Sequence, residues 1–236
     1  MRKAYLLGAA ALCFVGVVLL WQVSKSRTFQ AFGVVVPRVN TSRKVIALTF
    51  DDGPTRDRTG AVLAVLGEKK VRATFFVTGR ELERNPVLGR EIIAAGHELA
   101  NHSYSHAQMI FVSPSFVRRE VERTDELIRE AGYTGEIHFR PPYGKKLLVL
   151  PYYLAQNNRK TIMCDVEPDS YPEVAKDAAK IAEYVRERAR PGSIILLHVM
   201  YQSREESLKA VGGIIDGLEG EGYRFVTVSE LLEAAN

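Results

Sequence analysis

Seven short strand-like runs recur along the chain, at 45–50, 71–77, 97–101, 137–140, 161–165, 193–198 and 224–228. A stretch with helical periodicity follows each of them, at 59–68, 80–95, 114–131, 146–157, 174–189, 203–221 and 229–235. This alternation constrains the fold more than any other feature. Strands separated by helices are joined by crossovers and pair in parallel, so the chain is read as an α/β domain. Seven such units suit a closed or nearly closed barrel better than a small open sheet. With 236 residues, 46% of them hydrophobic and 25% charged, the chain can bury one sizeable core and carry one appendage.

The appendage lies at the front. Residues 4–23, "AYLLGAAALCFVGVVLLWQV", carry no charge over twenty positions, enough for a helix to cross a hydrocarbon core of about 30 Å. Arg2 and Lys3 precede the run, which favours a cytoplasmic N-terminus over residues 1–3, although Lys25 and Arg27 just beyond it weaken the asymmetry. A cleaved signal peptide is the rival reading. The run exceeds the roughly 7–15 residues of a signal-peptide core, and "VSKSRTF" offers no small-x-small site, so an uncleaved anchor is expected. Localisation then follows: a single-pass protein of the cell membrane with its main domain extracytoplasmic, or a secreted one if the segment is cleaved. Trp21 fits a membrane-interface anchor, and residues 24–42 read as a linker.

Charge excludes one class of partner. The four basic residues of 1–29 meet no acid there, and removing them from the total of 32 leaves 28 basic against 28 acidic residues in the rest of the chain. A formally neutral main domain lacks the basic footprint of a nucleic-acid binder. Cys13 and Cys164 are too differently placed to suggest a disulfide, and nothing in the sequence signals an oligomeric state.

Polar clusters fall at one kind of place, the C-terminal ends of the expected strands. Asp51 and Asp52 follow the first, His102 and His106 the third, Arg140 ends the fourth and His198 the sixth. In a parallel barrel these ends share one rim, where active sites are built. His102 and His106, four apart, are expected to project from one helical turn, and with an Asp on the same rim they form a two-His, one-carboxylate set that leaves positions open on a metal. His97 and His138 lie inside strand runs and read as satisfied core polar groups, and Phe75 and Phe76 as barrel packing.

The motifs "TFDDGP", "HSYSH", "RPPYG" and "LLH", in this order, resemble those of the polysaccharide deacetylases, the NodB-type carbohydrate esterases, over residues 43–236. The resemblance implies a distorted (β/α)7 barrel and hydrolysis of N-acetyl groups from an amino-sugar polysaccharide of the cell envelope, with release of acetate. It implies that Asp52, His102 and His106 bind a divalent metal, usually zinc, and that Asp51, paired with Arg140, is the general base. By the same resemblance the Tyr143 backbone N–H stabilises an oxyanion, Leu196 walls the pocket for the acetyl methyl group and His198 is the general acid. Where many members place Asp-Trp after the fifth strand, this chain reads "CDVEPDSYP". Ser170 and Tyr171 occupy those two positions, or Asp169 and Ser170 do with a one-residue slip, and the carboxylate left to orient His198 is Asp169, with Asp165 as the alternative. An esterase or amidase on another acetylated glycan and a non-catalytic glycan-binding protein are the alternatives, the latter disfavoured by the complete residue set.

Overall fold

The computed structural model describes residues 2–236, and the side chains of 14–236. After a long helix α1 (Arg2–Lys25) come β1 (Val35–Val36), β2 (Val45–Asp51), α2 (Thr59–Lys69), β3 (Thr74–Val77), α3 (Gly79–Arg84), α4 (Pro86–Ala94) and β4 (Glu98–Asn101). The second half adds α5 (Pro114–Glu130), α6 (Val149–Gln156), β5 (Thr161–Ile162), α7 (Ala178–Arg188), β6 (Ile194–His198), α8 (Glu205–Gly220), β7 (Arg224–Val226) and α9 (Val228–Glu233).

β2 is buried along its whole length, so its apolar run is continuous rather than alternating. It pairs in parallel with β3 on one side, and on the other with β7 at its start and β6 along its end. β4 adds beyond β3, giving the order β4-β3-β2-β6 with β7 also on β2. The period of two divides the core. Ile46, Leu48 and Phe50 pack with Val211, Ile214 and Ile215 of α8, whereas Val45 and Ala47 face Phe76, Ile162, Leu196 and Leu231. Each fully buried Phe or Leu here contributes about 1.5–3 kcal/mol.

Several expectations change. The seven-unit barrel is not closed by continuous ladders: β1 and β5 form a separate two-stranded parallel sheet. The expected strand 137–140 contributes only single bridges, from Phe139 to Asn101 and to Thr161, and a further single bridge joins Val166 to Ile195. Pro141 and Pro142, which have no N–H to give a ladder, follow this segment at once. β1 lies inside the expected linker 24–42, since two residues carry no period. The expected helix 80–95 is broken at Asn85, where Pro86 starts a second helix.

The transmembrane expectation falls partly outside the described residues, since the side chains of 4–13 are not among them. Among the described residues no helix is long and apolar enough to cross a membrane.

Candidate active site

All strands of the main sheet point the same way, so their C-terminal ends form one edge, and register sets who meets there. Asp51, the last residue of β2, lies opposite His198 of β6, and Asn101, just before His102, lies opposite Val77. The chain then turns sharply. Asp52 has φ +75° and Gly53 φ +71°, and a Cβ on Gly53 would come within 2.8 Å of the Met200 side chain. A side chain at Gly53 would be strained at that φ and would have to displace Met200, and the turn separates the side chains of two adjacent aspartates.

Asp51 is 3% exposed and paired with Arg140, whose Nη1 donates to Asp51 Oδ1 at 2.6 Å and to Thr49 Oγ1 at 2.9 Å. Nη2 donates to the Met163 carbonyl, and the guanidinium lies 3.9 Å over the Phe76 ring. Burial pushes the Asp51 carboxyl up, but Arg140, His102 and His198 together outweigh it and hold the group below its ordinary range. Asp51 is therefore an anion at neutral pH.

His102 and His106 do not sit on a helical turn. Asn101 Oδ1 accepts from Ser103 N, Ser103 Oγ accepts from His106 N, and Glu120 accepts from Ser105 N, so side chains take the backbone donors a helix would need. Ser103 and His106 adopt positive φ in this loop. His102 Nδ1 donates to the Arg140 carbonyl at 2.8 Å, leaving the Nε2 lone pair free. Arg140 thus fixes Asp51 through its side chain and His102 through its backbone. His106 Nε2 lies 3.4 Å from Asp52 Oδ1, and one ligand atom each from Asp52, His102 and His106 falls within 4.8 Å of the others. Two imidazoles and a carboxylate at this spacing fit a divalent ion.

Tyr143, in the turn Pro142–Gly144, is held at φ +58°, a left-handed conformation uncommon for a non-glycine residue. Its N–H donates to no acceptor among the described residues, and its ring lies 4.7 Å from that of His106. On the opposite wall the open alternative resolves. Asp169 Oδ2 accepts from the His198 backbone N–H at 2.6 Å and lies 3.2 Å from its Nδ1, and Asp169 Oδ1 accepts from Ser207 Oγ at 2.7 Å. Asp165 is spent elsewhere, on Ser193 Oγ and Ile194 N. Burial lowers the pKa of His198, but the Asp169 hydrogen bond and the charges of Asp51, Asp52 and Asp169 raise it further, for a net rise.

One cleft of about 390 Å³ gathers Asp51, Asp52, His102, His106, Arg140, Tyr143, Leu196 and His198. All eight residues that the sequence singled out for the site thus line this one cleft. Ser170 reaches the cleft too, whereas Tyr171 instead stacks on Tyr184. Arg27 and Arg204, which carried no motif to find them by, also line it, as do Cys164 and Glu167 from the altered segment "CDVEPDSYP", neither of them read as a site residue. The Cys164 thiol, pushed up to about 12 by burial, is no nucleophile.

The family model for polysaccharide deacetylase matches residues 38–161. The chain belongs to the polysaccharide deacetylases. Among its relatives is a peptidoglycan-N-acetylglucosamine deacetylase of Bacillus cereus, 32% identical over 200 residues that cover 85% of this chain and 93% of the relative. A chitooligosaccharide deacetylase of Sinorhizobium fredii is 34% identical, covering 80% and 92%. The crystal structure of the Bc1960 peptidoglycan N-acetylglucosamine deacetylase superposes with a TM-score of 0.78 at 30% identity, covering 84% of this deacetylase and 92% of that chain.

Proposed function

We propose that this deacetylase removes N-acetyl groups from cell-wall peptidoglycan, with a zinc ion on Asp52, His102 and His106. The observation behind this reading is geometric: one cleft gathers the Asp52, His102 and His106 set, Asp51 paired with Arg140, and His198 beside Asp169, which supports Asp51 as base and His198 as acid. Asp52, His102 and His106 would hold a divalent ion, which when bound would supply Lewis acidity toward the acyl carbonyl and a water of lowered pKa. Asp51, held ionised by Arg140, takes a proton as water adds to the acetamide carbon. The Tyr143 N–H donates to the oxyanion that forms, a role in which one lost donor costs about 10²–10³-fold. His198, oriented by Asp169, gives its proton to the amine as the C–N bond breaks, and acetate and the free amino sugar leave. Leu196 walls the pocket for the methyl group.

Residues 4–23 are read as a membrane anchor that holds the domain outside the cytoplasm. Supporting this, Phe14, Val17 and Leu19 of α1 stand 70%, 64% and 60% exposed, more apolar surface than a helix in water normally shows. The single parallel bridges through Phe139 and Val166 support reading both sheets as one distorted barrel. Acetate release from peptidoglycan, chitin oligomers and acetylated xylan, compared side by side, tests the substrate. Turnover restricted to xylan would move the protein to the esterase reading.

A further inference from the structure

α1 ends at Lys25, and the residues around that end are bound into the catalytic cleft from two sides. On one side stands Lys146, three residues after Tyr143. It is 1% exposed, its N–H donates to the Ser24 carbonyl at 2.9 Å, and its ammonium donates to the Ser26 carbonyl. Burial pushes that ammonium down to about 8, and the Ser26 carbonyl is its one hydrogen-bond acceptor among the described residues. A lysine is buried at such a cost only where its head is held in place. Lys145 adds a cation–π contact, 4.5 Å over the Trp21 ring.

On the other side Arg27 crosses 140 residues of sequence to form an ion pair with Glu167, and its Nη1 lies 3.1 Å from Cys164 Sγ. Glu167 leads into the Pro168–Ser170 turn, and Ser170 N and Tyr171 N bond back to the Glu167 and Pro168 carbonyls. That turn carries Asp169, the partner of His198. The Glu167 side chain is only 13% exposed and has no other cation within ion-pair distance among the described residues.

We infer that Ser24–Arg27 is a clasp joining the Tyr143 loop to the Asp169 turn, and that Arg27 is a positioning residue for the Asp169–His198 pair. Arg27 touches no reacting atom. It acts by fixing Glu167, and through it the backbone that aims Asp169. The inference rests on the proposed deacetylation for its effect on rate, but its structural half stands on its own. It also implies that a form released by cleavage near residue 28 loses its clasp and is a slower enzyme.

The test uses the full chain in detergent micelles with zinc, as Arg27→Gln, Arg27→Lys, Glu167→Gln and the double variant R27Q/E167Q. Acetate release gives kcat and KM, and hydrogen–deuterium exchange follows the peptide spanning 164–171. Arg58→Gln, which breaks the Arg58–Glu205 pair away from the cleft lining, is the control. Arg27→Gln is expected to lower kcat about tenfold, with KM changed less than about twofold, and to speed exchange of 164–171 about tenfold. Arg27→Lys should recover most of the loss, Glu167→Gln should match it, and the double variant should add nothing further. Wild-type exchange at 164–171 in Arg27→Gln overturns the clasp. So does a kcat loss that tracks lost zinc or a lowered unfolding temperature. Faster local exchange in a protein whose wild type releases no acetate leaves the clasp standing and sinks the proposed reaction instead.

Discussion

At the start of β4 the carboxylate of Glu98 lies 3.5 Å from the imidazole of His138, and at the opposite end of the same sheet Asp51 lies 3.5 Å from His102. Both pairs are buried. The difference lies in what the rest of each group does. Glu98 Oε2 accepts from Thr74 Oγ1, Val228 N and Ser229 N, and Oε1 from Ser229 Oγ, so the carboxylate is consumed in tying β3 and β4 to the first turn of α9. His138 Nε2 is shared with Ser229 Oγ. At the other end Asp51 is held by one arginine, His102 keeps a free Nε2, and Asp52 and His106 stand beside them at a cleft. The same carboxylate-to-imidazole distance thus serves structure where the carboxylate's lone pairs are spent on the protein, even with His138 Nδ1 left without a hydrogen-bond partner among the described residues, and suits chemistry where they are kept for a ligand.

The comparison breaks first at its largest expected effect. His102→Ala should lower acetate release beyond about 10³-fold, the scale of a single lost oxyanion donor or more, with little change in the unfolding of the metal-free protein. Glu98→Ala should do the reverse. It leaves buried donors unpaired and costs about 3–5 kcal/mol of stability, read from denaturant melts, while the folded fraction keeps its turnover. An active-site loss in folded Glu98→Ala would erase the distinction.

Asp169→Asn gives a smaller effect. Asp169 raises the pKa of His198, so the imidazolium survives to higher pH in the wild type. Without that charge the alkaline limb of the pH–rate profile should move to lower pH and the rate at neutral pH should fall, with metal content unchanged. Asp165→Asn should leave the limb in place, since Asp165 serves Ser193 and Ile194.

The smallest effect concerns His97, beside Glu98, whose Nδ1 accepts from Ala73 N. Burial first, and then Arg72, lower its pKa to about 4. A pKa depressed on folding means the unfolded chain takes up the proton first. The His97 contribution is therefore full above its ordinary 6.5 and is lost as pH falls toward 4. His138, lowered first by its burial, contributes with the same sign below its ordinary 6.5. His97→Gln should flatten part of the decline in unfolding temperature between those pH values, and an unchanged slope would mean His97 is not buried neutral.

What the sequence made legible follows from how local each signal is. Asp51, Asp52, Arg140 and His198 were readable because each ends or follows a buried run, and strand ends in a parallel sheet converge whatever the exact closure. The four-residue spacing of His102 and His106 placed both on one site but for the wrong reason, because Asn101, Ser103 and Glu120 claim the backbone and make a loop. The choice between Asp165 and Asp169 depended on where β5 stops, and it stops at Ile162, earlier than the apolar run suggests. The roles of Arg27, Lys146 and Glu167 carried no signal: an arginine just beyond an apolar run reads as a topology cue, and only the folded chain brings it to a carboxylate 140 positions away.

On the proposed reading, a metal ion held by Asp52, His102 and His106 separates the working cluster from the structural one. Zinc content of the full chain and of Asp52→Ala, measured alongside acetate release from N-acetylated peptidoglycan before chelation, after it and after zinc is returned, tests this most directly. About one ion per wild-type chain is expected, with turnover that vanishes with the chelator and returns with zinc, and an Asp52→Ala protein that folds but has neither. Undiminished acetate release from the chelated enzyme, or full zinc occupancy in Asp52→Ala, would contradict it.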